Sequence, residues 1–349
     1  MIQEAIASLM EGRDLSPREV GGVLAEIVSA KASPAQISGL LVALRGKGES
    51  PDEIAAFAST LRSHGVKIQP RVSRRLVDTC GTGGDSIKTF NVSTVSALVA
   101  AGAGVSIAKH GNRSVTSRCG SADLLERLGF NLAMDPQRVK ESIEQLGIGF
   151  MFAPAFHPAM KHVAPVRREL GIRTIFNLMG PLMNPAGADA QLIGVYSLPL
   201  ATKVAQALEK LGTKEAMVIH ALEGMDEISV TGRTSVAWLK DGKITAHEYT
   251  PRDFGMSTHP QRALTVSSIE ESAEAALEVL DGTREASARS DVVIVNAAAA
   301  IVVSGEAKGF SEALPIARES IASGAAYKKL EDLVRFSGGE LRRDRRDST

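Results

Sequence analysis

Residues 78–94 read DTCGTGGDSIKTFNVST: three glycines, an aspartate and a run of hydroxyls, close behind the apolar pair Leu76-Val77. Gly81-Thr82-Gly83-Gly84-Asp85 follows a short strand candidate and precedes a helix candidate rich in small residues. A backbone this bare lets N–H groups approach an anion closely. Asn91-Val92-Ser93-Thr94 then makes a helix start, with hydroxyls near the positive end of the dipole that can donate to phosphate or ligate Mg2+. A tight turn followed by an N-cap is the plainer alternative. Spacing removes the two commonest nucleotide-binding patterns. No Gly-Lys-Ser/Thr follows, as a P-loop requires. Counted from Gly81 and Gly83, the third glycine of a dinucleotide fingerprint falls on Ser86.

The same grammar returns at residues 104–129, GVSIAKHGNRSVTSRCGSADLLERLG. A strand candidate ends in Lys109-His110-Gly111-Asn112-Arg113, then comes a hydroxyl-rich loop and a helix capped near Ser121. Lys109 offers a point charge, Asn112 an amide and Gly111 close backbone approach. Alone, this loop also reads as a solvated basic turn. Ligands of open α/β sheets bind beyond the carboxyl ends of strands, so the pair of loops predicts one extended site for a ligand with two phosphate groups.

Outward from these loops, strand candidates at LVDT, VSIAK, GFMFA, LIGVYS, AMVIH and DVVIVN alternate with helix candidates near 92–103, 121–128, 136–146, 201–211 and 268–280. Alternation of this kind predicts an α/β unit with a mainly parallel sheet. Asp241-Gly242, inside SVAWLKDGKITAHEYT, marks a hairpin. Ahead of the α/β unit, three serines each followed by proline (Ser16, Ser33, Ser50) have Glu19, Gln36 and Glu53 three residues on. These are capping boxes with proline at the first helical position. Ile37, Leu40, Leu41 and Leu44 give the second of these helices a packing face. The expected layout is a small all-helical domain over 1–72, joined by some later helices, an α/β domain over 73–338, and a flexible charged tail over 339–349.

The 349 residues are 44% hydrophobic and 23% charged, with 40 basic side chains balancing 40 acidic ones. No general electrostatic pull toward nucleic acid or membrane follows, so an anion must be held locally. Cys80 and Cys119 give neither a disulfide framework nor a zinc spacing and fit a reducing cytoplasm. The N-terminus lacks a basic leader and apolar core. The apolar run 292–303, interrupted by Asn296, is too short to span a bilayer. A cytoplasmic protein is the expectation.

The segments GTGGD, NVST, KHGNRSVTS, the run FAPAFHPAMKHVAPVRRELGIRTIFNLMGPLMNP over 152–185 and GMDEIS resemble, in that order, the signatures of the anthranilate phosphoribosyltransferase family, of the nucleoside phosphorylase-like class. The likeness covers nearly the whole chain. It implies transfer of phosphoribose from phosphoribosyl pyrophosphate (PRPP) to the amine of anthranilate, two Mg2+ ions per subunit, and a homodimer. By this resemblance Gly81, Gly84, Asp85, Thr89, Asn91, Val92, Ser93 and Thr94 hold PRPP, with Ser93 also on Mg2+. Lys109, His110, Gly111, Asn112, Arg113, Ser114, Val115, Thr116, Ser117 and Ser121 carry its remaining contacts. Asp226 and Glu227 hold a second Mg2+. Gly81, Asn112 and Arg167 bind anthranilate, with His110 and His157 on its path.

The residues themselves allow this. Leaving-group departure separates charge that cations and N–H groups at the pyrophosphate stabilise, and no protein nucleophile is needed. Neighbouring residues on a regular strand face opposite ways, so Asp226 and Glu227 can share a metal only if their segment is irregular, which Gly224 permits. Pro158 suits the start of a short helix with His157 at its lip, and Pro165 restarts a helix that presents Arg167, a bidentate partner for a carboxylate. His157 also reads as a capping histidine, His220 as structural, and the acidic pair as an exposed turn. One departure is Met183, in GPLMNP where the family loop usually reads GPLTNP. A pyrimidine nucleoside phosphorylase of the same fold and a non-catalytic phosphosugar-binding homologue are the alternatives; the acidic pair and the Arg167 segment favour the transferase.

Overall fold

The structure is a computed structural model that describes residues 1–83, 87–114, 119–283 and 286–343. It opens with four helices, α1 (Ile2–Met10), α2 (Pro17–Val28), α3 (Pro34–Lys47) and α4 (Pro51–His64). All three capping boxes form: Ser16, Ser33 and Ser50 accept from the N–H three residues on, and Glu19, Gln36 and Glu53 reach back.

Strands and helices then alternate: β1 (Leu76–Gly81), α5 (Val92–Gly102), β2 (Ser106–Gly111), α6 (Ser121–Arg127), α7 (Pro136–Leu146), β3 (Ile148–Phe152). Next come the short α8 (Ala153–Phe156), a 3-10 turn at Pro158–His162, α9 (Ala164–Leu170), α10 (Phe176–Leu182), β4 (Ala190–Gly194), α11 (Leu198–Lys210) and β5 (Glu215–Ala221). The hairpin β6 (Thr234–Lys240) and β7 (Lys243–Tyr249) turns at Asp241-Gly242, and α12 (Ile269–Leu280), α13 (Ala288–Ser304), α14 (Phe310–Ala322) and α15 (Ala325–Phe336) complete the chain.

The seven strands form one sheet in the order β3-β2-β1-β4-β5-β6-β7, parallel through β5 and antiparallel over the last two. Period-two alternation divides its side chains between two cores. Leu192, Met217, Ile219 and Val236 face one core, with α5 and α12–α15; Ile193, Val218, Ala237 and Leu239 face the other. That second core is continuous with the N-terminal helices and contains Phe176 and Met179 of α10 and Val204 and Leu208 of α11. The later helices that join the N-terminal bundle are therefore α9–α11, from mid-chain.

Two expectations fail. DVVIVN is not a strand; it lies inside the 17-residue helix α13, whose Ser287 cap accepts from Ser290 N–H. The run continues through four alanines, beyond strand length, and α13 packs against α5, α14 and the sheet. A helix buried all round carries no amphipathic stripe, and packing overrides the strand preference of its valines. The expected loose tail is also partly docked. Arg342 N–H donates to the Leu128 carbonyl (3.1 Å) and Leu341 packs against the main core. Residues 344–349 of that tail lie outside the described residues. No helix among the described residues is long and apolar enough to cross a membrane.

Candidate functional site

The chain leaves β1 toward β2 on one side and β4 toward β5 on the other, so the adjacent strands β1 and β4 flank a crevice at their carboxyl ends. Open α/β sheets bind ligands at such a switch point. Gly81 and Gly194 are register partners there. The acidic segment after β5 folds over both. A Cβ at Gly81 would collide with the Asp226 carboxylate, and one at Gly194 with the Asp226 carbonyl. Gly83 N–H donates to Asp226 Oδ2 (3.1 Å), and Thr82 N–H to the Gly194 carbonyl (2.9 Å). Gly224, at φ +102°, supplies the bend. The family resemblance gave Asp226 a metal role but no contact with the glycine loop, and the close approach that demands Gly194 had no signal in the sequence.

Beneath the crevice lies a buried polar layer. Lys109 is not a loop charge: it is the fourth residue of β2, and its Nζ donates to the Thr79 carbonyl (2.6 Å) and Ser93 Oγ (3.4 Å). Asp78, fully buried, accepts from Asn184 Nδ2 (2.7 Å) and His110 N–H (3.2 Å). Burial pushes the Asp78 carboxyl up and the Lys109 ammonium down, and each charge offsets the other's penalty. Glu227, nearly buried, adds its field to Lys109. Burial likewise pushes the Cys80 thiol well up, with Asp78 reinforcing it.

Helix α5 starts at Asn91-Val92-Ser93-Thr94, as expected. Asn91 stands at the N-cap, but its Nδ2 donates to the Cys119 carbonyl and its Oδ1 accepts from Ser272 Oγ. The amide ties three loops together instead of capping the helix. Ser93 is half-buried, and the buried Thr94 Oγ1 has no partner among the described residues. Thr89 bridges Thr265.

The β2 loop is built by α6. Asp123 Oδ2 accepts from Ser114 N–H and Gly120 N–H, both at 2.9 Å. A Cβ at Gly111 would strike Ser121 Oγ and Phe150. Asn112 takes the Arg113 N–H, and Arg113 turns outward onto Glu126 and Asp123, away from the role of a loop cation. Gly84, Asp85, Val115, Thr116 and Ser117 lie outside the described residues.

On the other side of β2, His110 and His157 meet edge to face with ring centroids 5.0 Å apart. His110 Nδ1 sits 3.0 Å from the Gly180 carbonyl, which makes it the protonated nitrogen, and both Nε2 atoms are buried without a partner among the described residues. Burial lowers the pKa of His110 to about 3 and that of His157 to about 4. Both are neutral at pH 7. Arg167, on α9, is half-buried over the Phe176 ring (5.8 Å), with no carboxylate paired to it among the described residues, while Arg168 is exposed. His220 Nδ1 contacts the Val195 carbonyl (2.8 Å), a structural bond. The Met183 side chain is buried in the second core, and its carbonyl lies beside His157.

Among the described residues no three of His, Cys, Asp and Glu could together hold a metal. Ser93, Asp226 and Glu227 supply oxygen donors only, which suits Mg2+, an ion that keeps several waters and takes phosphate oxygens as ligands. A 610 Å³ cavity lined by Arg127, Leu277, Tyr327 and Arg343 includes none of these residues, so strand ends rather than void volume locate the site.

Comparison with known proteins agrees with this layout. Residues 3–65 match the helical bundle domain, and residues 73–327 the a/b domain, of a family described as "Glycosyl transferase family". The chain is 48% identical to the anthranilate phosphoribosyltransferase of Methanocorpusculum labreanum, over 97% of this chain and 99% of the relative. It is 47% identical to that of Nitrosomonas eutropha, over 96% and 98%. Among solved structures, the Thermus thermophilus anthranilate phosphoribosyltransferase superposes with a TM-score of 0.90 at 44% identity, covering 96% of this chain and 99% of that one. The Saccharomyces cerevisiae enzyme in complex with PRPP and Mg gives 0.88 at 29% identity, over 97% and 98%.

Proposed function

We propose how the site works from one premise: this chain belongs to the anthranilate phosphoribosyltransferase family of glycosyl transferases. It moves phosphoribose from PRPP to the amine of anthranilate, releasing pyrophosphate. The observation that carries the reading is the acidic segment locked over the glycine loop at the switch point, with Gly83 N–H on Asp226.

PRPP is held by Gly81, Gly84, Asp85, Thr89, residues 91–94, residues 110–112, residues 114–117 and Ser121. Ser93, Asp226 and Glu227 hold Mg2+, two ions per subunit. When bound, Mg2+ neutralises charge that builds on the departing pyrophosphate. Lys109 works from below, fixing Ser93 and the end of β1 rather than touching solvent. Anthranilate is bound by Gly81, Asn112 and Arg167. Arg167 takes its carboxylate in a charge-assisted pair. His110 and His157, neutral and with bare Nε2 atoms, line its path and can accept from an amine without repelling it. The helical unit 1–72 and the α/β unit 73–338 form the two walls, and the enzyme acts as a cytoplasmic homodimer.

Anthranilate is fluorescent, so mixing the enzyme with PRPP and Mg2+ should extinguish its emission as product forms. Unchanged emission at ample enzyme would sink the assignment.

A further inference from the structure

The one polar residue of the apolar run 292–303 is Asn296, fully buried in the middle of α13. Its amide has three bonds. Oδ1 accepts from Ile228 N–H (2.9 Å), and Nδ2 donates to the Ile228 carbonyl (2.9 Å) and to the Val292 carbonyl one turn back (2.8 Å). The side chain therefore pairs both backbone groups of Ile228, as a neighbouring strand would. Ile228 is itself fully buried and directly follows Asp226-Glu227. Upstream the segment is tied by Ala221 N–H to the Met225 carbonyl (3.0 Å), and downstream by Ser229 N–H to Thr234 Oγ1 (2.9 Å). Asn296 is the clamp between those two ties.

A helix core gains nothing from an amide that an aliphatic side chain of similar volume could not supply, unless the amide has work elsewhere. Here that work is on the backbone beside the acidic pair. We propose that Asn296 is a positioning residue: by fixing Ile228 it sets Asp226 and Glu227 over the glycine loop and thereby sets the affinity for divalent cation. This rests on the reading that the acidic pair holds metal.

The test uses Mn2+ binding followed by electron paramagnetic resonance in the presence of PRPP, a readout independent of turnover. Asn296→Leu keeps the core filled but leaves the Ile228 N–H and carbonyl unpaired. Mn2+ affinity should fall about tenfold, the loss typical of removing a group that orients metal ligands from behind. The Mg2+ concentration for half-maximal rate should rise in parallel, and the anthranilate KM should stay within about twofold. Asn296→Gln, which retains the amide, should recover part of the loss. The reference variant Asp226→Asn with Glu227→Gln separates the two readings. If it loses Mn2+ while Asn296→Leu binds as wild type, the positioning role is overturned. If it too binds as wild type, the metal reading fails and this inference with it. Should Asn296→Leu not fold, hydrogen exchange of the unmutated protein decides. Ile228 N–H should be as protected as the amides of α13, and rapid exchange would overturn the clamp.

Discussion

A half-buried cation with no carboxylate paired to it among the described residues is the clearest unfinished interaction at the scale of single residues. Arg167 is desolvated enough that burial lowers its pKa, yet no carboxylate meets it among the described residues. A bidentate carboxylate bond there is worth about 1.5–3 kcal/mol. Arg167→Ala should therefore raise the anthranilate KM roughly 10- to 100-fold while leaving the PRPP KM within about twofold. Steady-state kinetics with each substrate varied in turn checks this, and the reverse pattern would remove its carboxylate role. Arg167 was legible because Pro165 announces its helix. Lys109 was legible as a charge at the end of a strand but not in its placement, since only the fold turns it inward beneath Ser93. Gly194 was not legible at all. It is small because Asp226, 32 positions later in the chain, lies against it.

Local chemistry governs the elements, and where it is strong the sequence reads correctly. The three capping boxes placed α2, α3 and α4 because serine, proline and Glu or Gln act within one turn. At α4, Ser50→Ala removes one of these bonds and should cost about 1 kcal/mol of stability. Equilibrium urea unfolding should show it, with kcat unchanged; no loss would mean that water caps the turn as well. Glu53 does more than a box requires, since it also takes Leu15 N–H (2.9 Å) and pairs with Lys47 (2.8 Å). Helix α13 reads wrongly for the opposite reason. Its valines and isoleucines carry strand preference, and only the surrounding layers, which bury it on every side, make it helical.

For the molecule as a whole, the buried histidine pair links pH to stability. Unfolded, each imidazole titrates near its ordinary 6.5; folded, burial holds His110 at about 3 and His157 at about 4. The unfolded chain thus binds more protons between these limits, so stability is complete above pH 6.5 and is lost as pH falls toward 4. Each ring contributes roughly 2 kcal/mol of that loss by pH 5. Denaturation midpoints at pH 7 and 5 should therefore converge in His157→Gln by about that amount relative to wild type. An unchanged gap would show that the ring is not buried neutral. The sequence by itself determined the helical start, the alternating α/β plan, the hairpin and the two glycine-containing loops at strand ends, because capping, periodicity and glycine chemistry act over a few residues. Tertiary structure alone decided that β1 lies beside β4, that α9–α11 join the N-terminal core, and that Asn296 reaches Ile228. Those pairings join residues about 70 to 140 positions apart, and they are selected by shared burial and by backbone groups that must find partners, which no local pattern records.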